Sequence, residues 1–257
     1  MGNFNYGKTL NEWDARLAYD KEAIVKILKN NYDAVKDAAH TNGYYSLLDS
    51  HLLLSFLNEA RPKNIVEIGG GLTTKMMIEH IKRNETETNL TTFAIDLKNT
   101  LPQDLPKNFK YIKGDFLITY FDNFIDWSNI DLLFIDALHE AHFATFFCYE
   151  LFPKLKKGAL IHVHDVQEPS VLLEGYQKGY IKSGEYWKNP TITDEAYQLF
   201  YYIKDKPEYL VLCNSNNLLE KHTELVSWIT NIEKNKYVNL NSTGLAPAES
   251  LWLKKIY

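Results

Sequence analysis

The feature that most constrains the fold is a series of five short apolar segments, each closing on an acidic or glycine-rich step. Asn64–Ile68 (NIVEI) runs into Gly69-Gly70-Gly71, Thr91–Ile95 (TTFAI) into Asp96, and Phe109–Lys113 (FKYIK) into Gly114-Asp115. Asp131–Ile135 (DLLFI) ends at Asp136, and Ala159–Val163 (ALIHV) at His164-Asp165. Helical patterns cover 72–83 and 139–154 between them. Near-continuous apolar strands alternating with helices describe a parallel sheet buried on both faces. Ligands of such a sheet bind beyond the carboxyl ends of its strands. One carboxylate at a strand end is ordinarily a helix cap; five in register predict a polar site.

The flanks carry helices and a late β element. Leu10, Trp13, Leu17, Ile24, Ile27 and Leu28 recur at helical spacing and predict a helix over 10–39. A second helix is expected over 49–60, capped by Asp49 and ended by Pro62. Residues 1–60 thus read as a helical segment ahead of a domain spanning 61–257. After the fifth strand, a helix is expected over 193–204. Strands at 208–213 and 250–256 would suit a hairpin on the sheet edge.

A chain of 257 residues can bury the core of one large α/β domain. Lys and Arg total 28 against 33 Asp and Glu, a net charge of −5 that gives no overall attraction for nucleic acid. No apolar run is long enough to span a bilayer, and the N-terminus is too polar for a signal peptide. Cys148 and Cys213 stand alone in apolar surroundings and read as buried thiols. The cytoplasm is the expected location.

The glycine turn admits two nucleotide readings. A dinucleotide fingerprint needs glycine where Thr74 stands, and it would place Glu67 beside a pyrophosphate that it repels. S-adenosylmethionine carries a sulfonium and an ammonium and no phosphate, so an acid there is favourable. Asp96 would then take the ribose hydroxyls, and Asp115 with Phe116 the edge and face of the adenine.

VEIGGG, the acid after the second strand, GDF after the third and the strand pattern over 44–165 resemble a class I S-adenosylmethionine-dependent methyltransferase. More narrowly, the chain is similar to the macrocin and mycinamicin sugar O-methyltransferases and their relatives in polysaccharide clusters. That likeness rests on Tyr44-Tyr45-Ser46-Leu47-Leu48-Asp49, FIDALH (134–139), LFPKLKKGALIHVHD (151–165) and SLWLKK (250–255). The resemblance implies a Rossmann-like α/β fold. Its sheet would have seven mostly parallel strands with an antiparallel C-terminal strand, helices on both faces and an N-terminal helical extension. It implies a cofactor site of Tyr44, Ser46, Glu67, Gly69, Gly70, Gly71, Thr74, Asp96, Asp115 and Phe116. It also implies a divalent cation, Mg²⁺ or Mn²⁺ among others, on Asp136, His164 and Asp165, with His139 as base beside Asp136. His164 departs from the family's acid at that position, and an imidazole suits Mn²⁺, Fe²⁺ or Zn²⁺ better than Mg²⁺.

The residues support this chemistry without the family. A sugar hydroxyl is a poor nucleophile at neutral pH, and a general base or a metal ion must help remove its proton. Asp136 and His139, three apart at a strand-to-helix junction, can face one cleft. His142 reads as solvated, and His162 as a packing residue pointing away from His164. Residues 166–192 hold Tyr176, Tyr180, Tyr186 and Trp187 with three lysines, a composition that suits either an acceptor-binding cap or a mobile surface loop. The expected function is methyl transfer from S-adenosylmethionine to a hydroxyl of a sugar or glycan. Small-molecule O- or N-methylation, a non-catalytic S-adenosylmethionine-binding relative and a nucleotide-dependent oxidoreductase are the rival readings. The expected partner is a small-molecule or glycan acceptor, with no nucleic acid and no membrane span; a homo-oligomer is compatible with the sequence.

Overall fold

Along each strand successive side chains point to opposite faces, and here both faces are apolar. Val66 and Ile68, Leu133 and Ile135, and Ile161 and Val163 enter one core, while Ile65, Leu132, Phe134 and Leu160 enter the other. The computed structural model describes residues 16–40, 45–97, 101–116, 123–166, 194–236 and 248–257. Its strands are β1 (Asn64–Ile68), β2 (Asn89–Ala94), β3 (Phe109–Lys113), β4 (Leu132–Ile135), β5 (Leu160–Val163), β6 (Tyr209–Asn214) and β7 (Leu251–Lys255). They form one sheet in the order β3-β2-β1-β4-β5-β7-β6, in which β1 to β5 pair in parallel and β7 is antiparallel to both neighbours. The order reverses direction beside β1, which opens a crevice at the carboxyl ends of β1 and β4.

One face is covered by α1 (Lys21–Val35), α2 (Leu47–Ala60) and α3 (Leu72–Arg83), with α7 (Thr223–Lys236) packed on α2. The other carries α4 (Ala141–Phe146) and α5 (Asp194–Ile203). A short α6 (Ser215–Lys221) follows β6 directly. None of the described helices is long and apolar enough to cross a membrane.

Several boundaries differ from expectation for identifiable reasons. Asp20 caps α1, its carboxylate accepting from Ala23 N at 2.9 Å, so the helix expected over 10–39 begins at Lys21; residues 10–15 lie outside those described. The residues just before it are tied to the segment from the end of α5 through β6. Arg16 donates to the carbonyls of Ile203, Lys206 and Tyr209, and Tyr19 to that of Asn214 at 3.1 Å. Ser46, not Asp49, caps α2: its hydroxyl accepts from Asp49 N at 2.9 Å and donates to the Asp49 carboxylate at 2.8 Å. The helix expected over 139–154 breaks into α4, a π turn over Phe147–Leu151 and a 3₁₀ turn over Phe152–Lys154 that contains Pro153. The late strands do pair, but α6 and α7 lie between them, and β7 enters the sheet interior rather than forming an edge hairpin. Leu251, Trp252 and Leu253 are all fully buried, so the strand needs cover on both faces.

Candidate active site

Gly69 leaves β1 with φ +84°, and its N–H donates to Phe93 O on β2 at 2.8 Å. A Cβ here would sit 1.7 Å from the carbonyl oxygen of Asp136, so only glycine lets the turn close against the end of β4. A Cβ on Gly70 would press on Leu97, Thr92 and Thr74 at 2.8–2.9 Å, whereas one on Gly71 would meet nothing within 4 Å. Below the turn lies Glu67, 0% exposed, whose carboxylate accepts from Thr73, Thr74 and Thr92 hydroxyls at 2.6–2.7 Å. Thr74 Oγ1 also accepts from Gly71 N at 3.0 Å. The threonine that breaks the dinucleotide fingerprint therefore ties the first turn of α3 to β1. Burial pushes the Glu67 carboxyl up to about 7 against the pull of the three hydroxyls.

Above the turn opens a cleft of about 370 Å³, within the range of small-molecule sites. Gly69, Gly70, Asp96, Asp115, Phe116 and Asp136 line it, six of the positions expected from sequence. Glu67, Gly71, Thr74 and Ser46 do not line it: the first three brace the turn from behind, and Ser46 caps α2. Tyr44 and residues 167–192 lie outside those described. Ile95, Gly114, Ala137, Leu138 and Phe143 also line the cleft, and the sequence reading had not assigned them. Ile95 is 73% exposed, and it stands at a strand end beside the cleft with Leu138, also exposed. Apolar side chains exposed at the mouth of a cleft suit contact with a flat ring. Ile95 was counted within a strand, and its place next to Asp96 was the available signal.

At the β4 and β5 ends, Asp136, His139 and Asp165 converge, with one ligand atom from each within 4.8 Å of the others. Asp165 has φ +55°, a left-handed conformation uncommon outside glycine and a form of strain found at functional sites. Its Oδ2 is 2.8 Å from His139 Nε2 and its Oδ1 3.1 Å from His164 Nδ1. His139 Nδ1 is in turn 2.9 Å from the carboxylate of Glu195 on α5. Burial opposes charge on His139, but the hydrogen bonds to Asp165 and Glu195 outweigh it and push the imidazole up to about 10. For Asp165 too, burial is outweighed by hydrogen bonds from His139 and His164, which hold it well below the usual carboxylate range. Burial pushes Glu195 up to about 7 against the pull of its hydrogen bond to His139.

His164 is placed differently from the ligand set expected of it. It is 3% exposed and lies behind the carboxylates, with Nδ1 3.6 Å from Asp136 and Nε2 3.8 Å from Asp49. Burial disfavours its charge, yet Asp136, Asp165 and Asp49 raise its pKa well above the ordinary value. The histidine gathered with Asp136 and Asp165 is His139. His162 is fully buried as expected, stacked on Phe134 at 3.9 Å and 2.9 Å from Ser250 Oγ. It nevertheless shares a side with His164, their rings 6.1 Å apart, because residues two apart on a strand point the same way. His142 is exposed beside Glu140, and both cysteines are buried and free.

The model of a methyltransferase domain family matches residues 66–166, the stretch from β1 through the end of β5 that builds this site. Among solved structures, cofactor-bound Rv0187 from MTB aligns with a TM-score of 0.52 at 12% identity, over 90% of this chain and 89% of that one. SAH-bound methyltransferase PaMTH1 from Podospora anserina aligns with a TM-score of 0.50 at 14% identity, over 100% and 99%. No curated protein matches by sequence. Likeness at these identities is likeness of fold. The chain has the Rossmann-like methyltransferase fold, and residues 66–166 are the part of it that is similar to the methyltransferase domain model.

Proposed function

We propose that the protein transfers a methyl group from S-adenosylmethionine to a hydroxyl of a sugar or glycan. The observation that supports this best is that Asp136 belongs both to the cleft wall and to the Asp136–His139–Asp165 cluster. A donor in the cleft would thus have its reactive end beside groups able to handle a proton. Solved structures of the same fold hold a cofactor or S-adenosylhomocysteine. The cleft suits that ligand: Asp96 and Asp115 are exposed at the ends of β2 and β3, within reach of ribose and adenine polar atoms. Ile95, Leu138 and Phe116 provide apolar surface for the purine.

Two carboxylates and one imidazole in one cluster fit a divalent cation that accepts mixed oxygen and nitrogen donors. Such an ion, when bound, supplies Lewis acidity to the acceptor hydroxyl. Asp136 and Asp165 would hold it, with His139 as the third donor or as the proton acceptor at Nε2. His139 is a cation while both its nitrogens face carboxylates. It can accept a proton only after losing its own, so drawing Asp165 away from Nε2 favours the basic form. Chelator should accordingly lower turnover, and Mn²⁺ should restore it at least as well as Mg²⁺. Turnover indifferent to chelation would remove the metal from this reading.

The donor site is tested by calorimetric titration of S-adenosylmethionine and its homocysteine product. Asp96→Ala should weaken binding more than about tenfold, since it removes charge-assisted hydrogen bonds of roughly 1.5–3 kcal/mol each. Unchanged affinity would take Asp96 out of the site. Product formation across a panel of sugars, nucleotide sugars and phenols would then test the acceptor class.

A further inference from the structure

We propose that Glu195 is a positioning residue for His139, holding the ring by its Nδ1 proton so that Nε2 is presented to Asp136 and Asp165. This deepens the function proposed above and rests on it for its catalytic meaning. Glu195 comes from α5, 56 residues after His139, and is 1% exposed. A carboxylate is costly to bury, and among the described residues no lysine or arginine pairs with this one. Among the described residues its Oε2 meets His139 Nδ1 at 2.9 Å, while its Oε1 has no hydrogen-bond partner. Glu195 is committed through a single oxygen to a single imidazole nitrogen.

The geometry determines which nitrogen works. Asp165 Oδ2 approaches Nε2 at 2.8 Å from the cluster side, and Glu195 approaches Nδ1 from the opposite side. When the ring carries one proton, Glu195 keeps it on Nδ1 and leaves the Nε2 lone pair facing the cluster. A carboxylate behind a histidine commonly fixes the tautomer and rotation of a ring that acts through its other nitrogen.

The test separates length from charge with two polar variants. Glu195→Gln has the same reach and an amide oxygen that can accept the Nδ1 proton. Glu195→Asp keeps the charge but is one methylene short. In protein with ¹⁵N-labelled histidine, the wild type and Glu195→Gln should show a protected Nδ1–H resonance, identified by its loss in His139→Ala. Glu195→Asp should lose that resonance. Calorimetric titration with Mn²⁺ should give near-wild-type affinity for Glu195→Gln and a roughly 10–100-fold loss for Glu195→Asp, the usual effect of removing a group behind a metal ligand. The turnover number should follow the same order with S-adenosylmethionine affinity unchanged. Persistence of the resonance and of Mn²⁺ affinity in Glu195→Asp would overturn the proposal, as would their loss in a folded Glu195→Gln. The resonance does not depend on methyl transfer, so absence of turnover in the wild type would count against the proposed function alone.

Discussion

Gly69→Ala should abolish S-adenosylmethionine binding, while Gly71→Ala should leave it within about twofold, as for a surface change of ±0.5 kcal/mol. The two glycines sit two residues apart in the same motif, yet their surroundings are opposite. At Gly69 the added carbon would overlap the Asp136 carbonyl oxygen at 1.7 Å, at a φ of +84° that alanine adopts only with strain. Neither obstacle is the end of a flexible side chain, so β1 and β4 would have to separate at the site. Strain and overpacking of this kind cost on the order of 3 kcal/mol or more, equivalent to at least roughly a 100-fold loss of affinity. At Gly71 the backbone is extended and the space beside it open. Calorimetry on both variants checks the pair, and equal behaviour of the two would show that the interlock between β1 and β4 is not what shapes the cleft.

His139→Ala should lower turnover by about 10²–10⁴-fold, the range for loss of a general acid–base group. S-adenosylmethionine affinity should hardly move, because His139 is not among the residues lining the cleft. The same variant should change the pH dependence of stability. The folded-state pKa of about 10 lies above the ordinary 6.5, so the stabilisation is fully present below about pH 6.5 and is lost as pH rises through about 10. Thermal melts across that window should show a decline in the wild type that is missing in His139→Ala. A shared decline would assign it to another group, and full activity of the variant would remove His139 from the chemistry.

The strands were readable because each is a short apolar run with a polar stop, and the stops mark where the sheet binds. Asp136 and Asp165 are two of those stops, and His139, three residues past Asp136, lies with them in one cluster. What escaped the sequence were relations between distant segments. Glu195 lies 56 positions from His139 and nothing local distinguishes it from a surface acid on an amphipathic helix. The family resemblance makes His164 a ligand, whereas Asp49 and Tyr45, brought in by the start of α2, enclose it on the buried side. Glu67 looked like a cofactor contact until Thr92, its neighbour across the β1–β2 pair, closed the third hydrogen bond. Helices α6 and α7 escape a local reading because no glycine or proline from β6 to Lys236 marks where the strand gives way to helix or where one helix ends and the next begins.

The strand order has a consequence for how the chain reaches its native state. β7 follows both β5 and β6 in the chain, yet it occupies an interior position between them. Until residues 251–255 are available, β5 keeps an unpaired edge and β6 has no strand to join. Both parts of the sheet therefore wait on residues 251–255, and the non-local pairing of Val163 with Leu251 makes that closing step slow. During synthesis the segments preceding β7 pass through a period with an open β5 edge, the kind of surface that chaperones shield and that pairs with other unfinished chains.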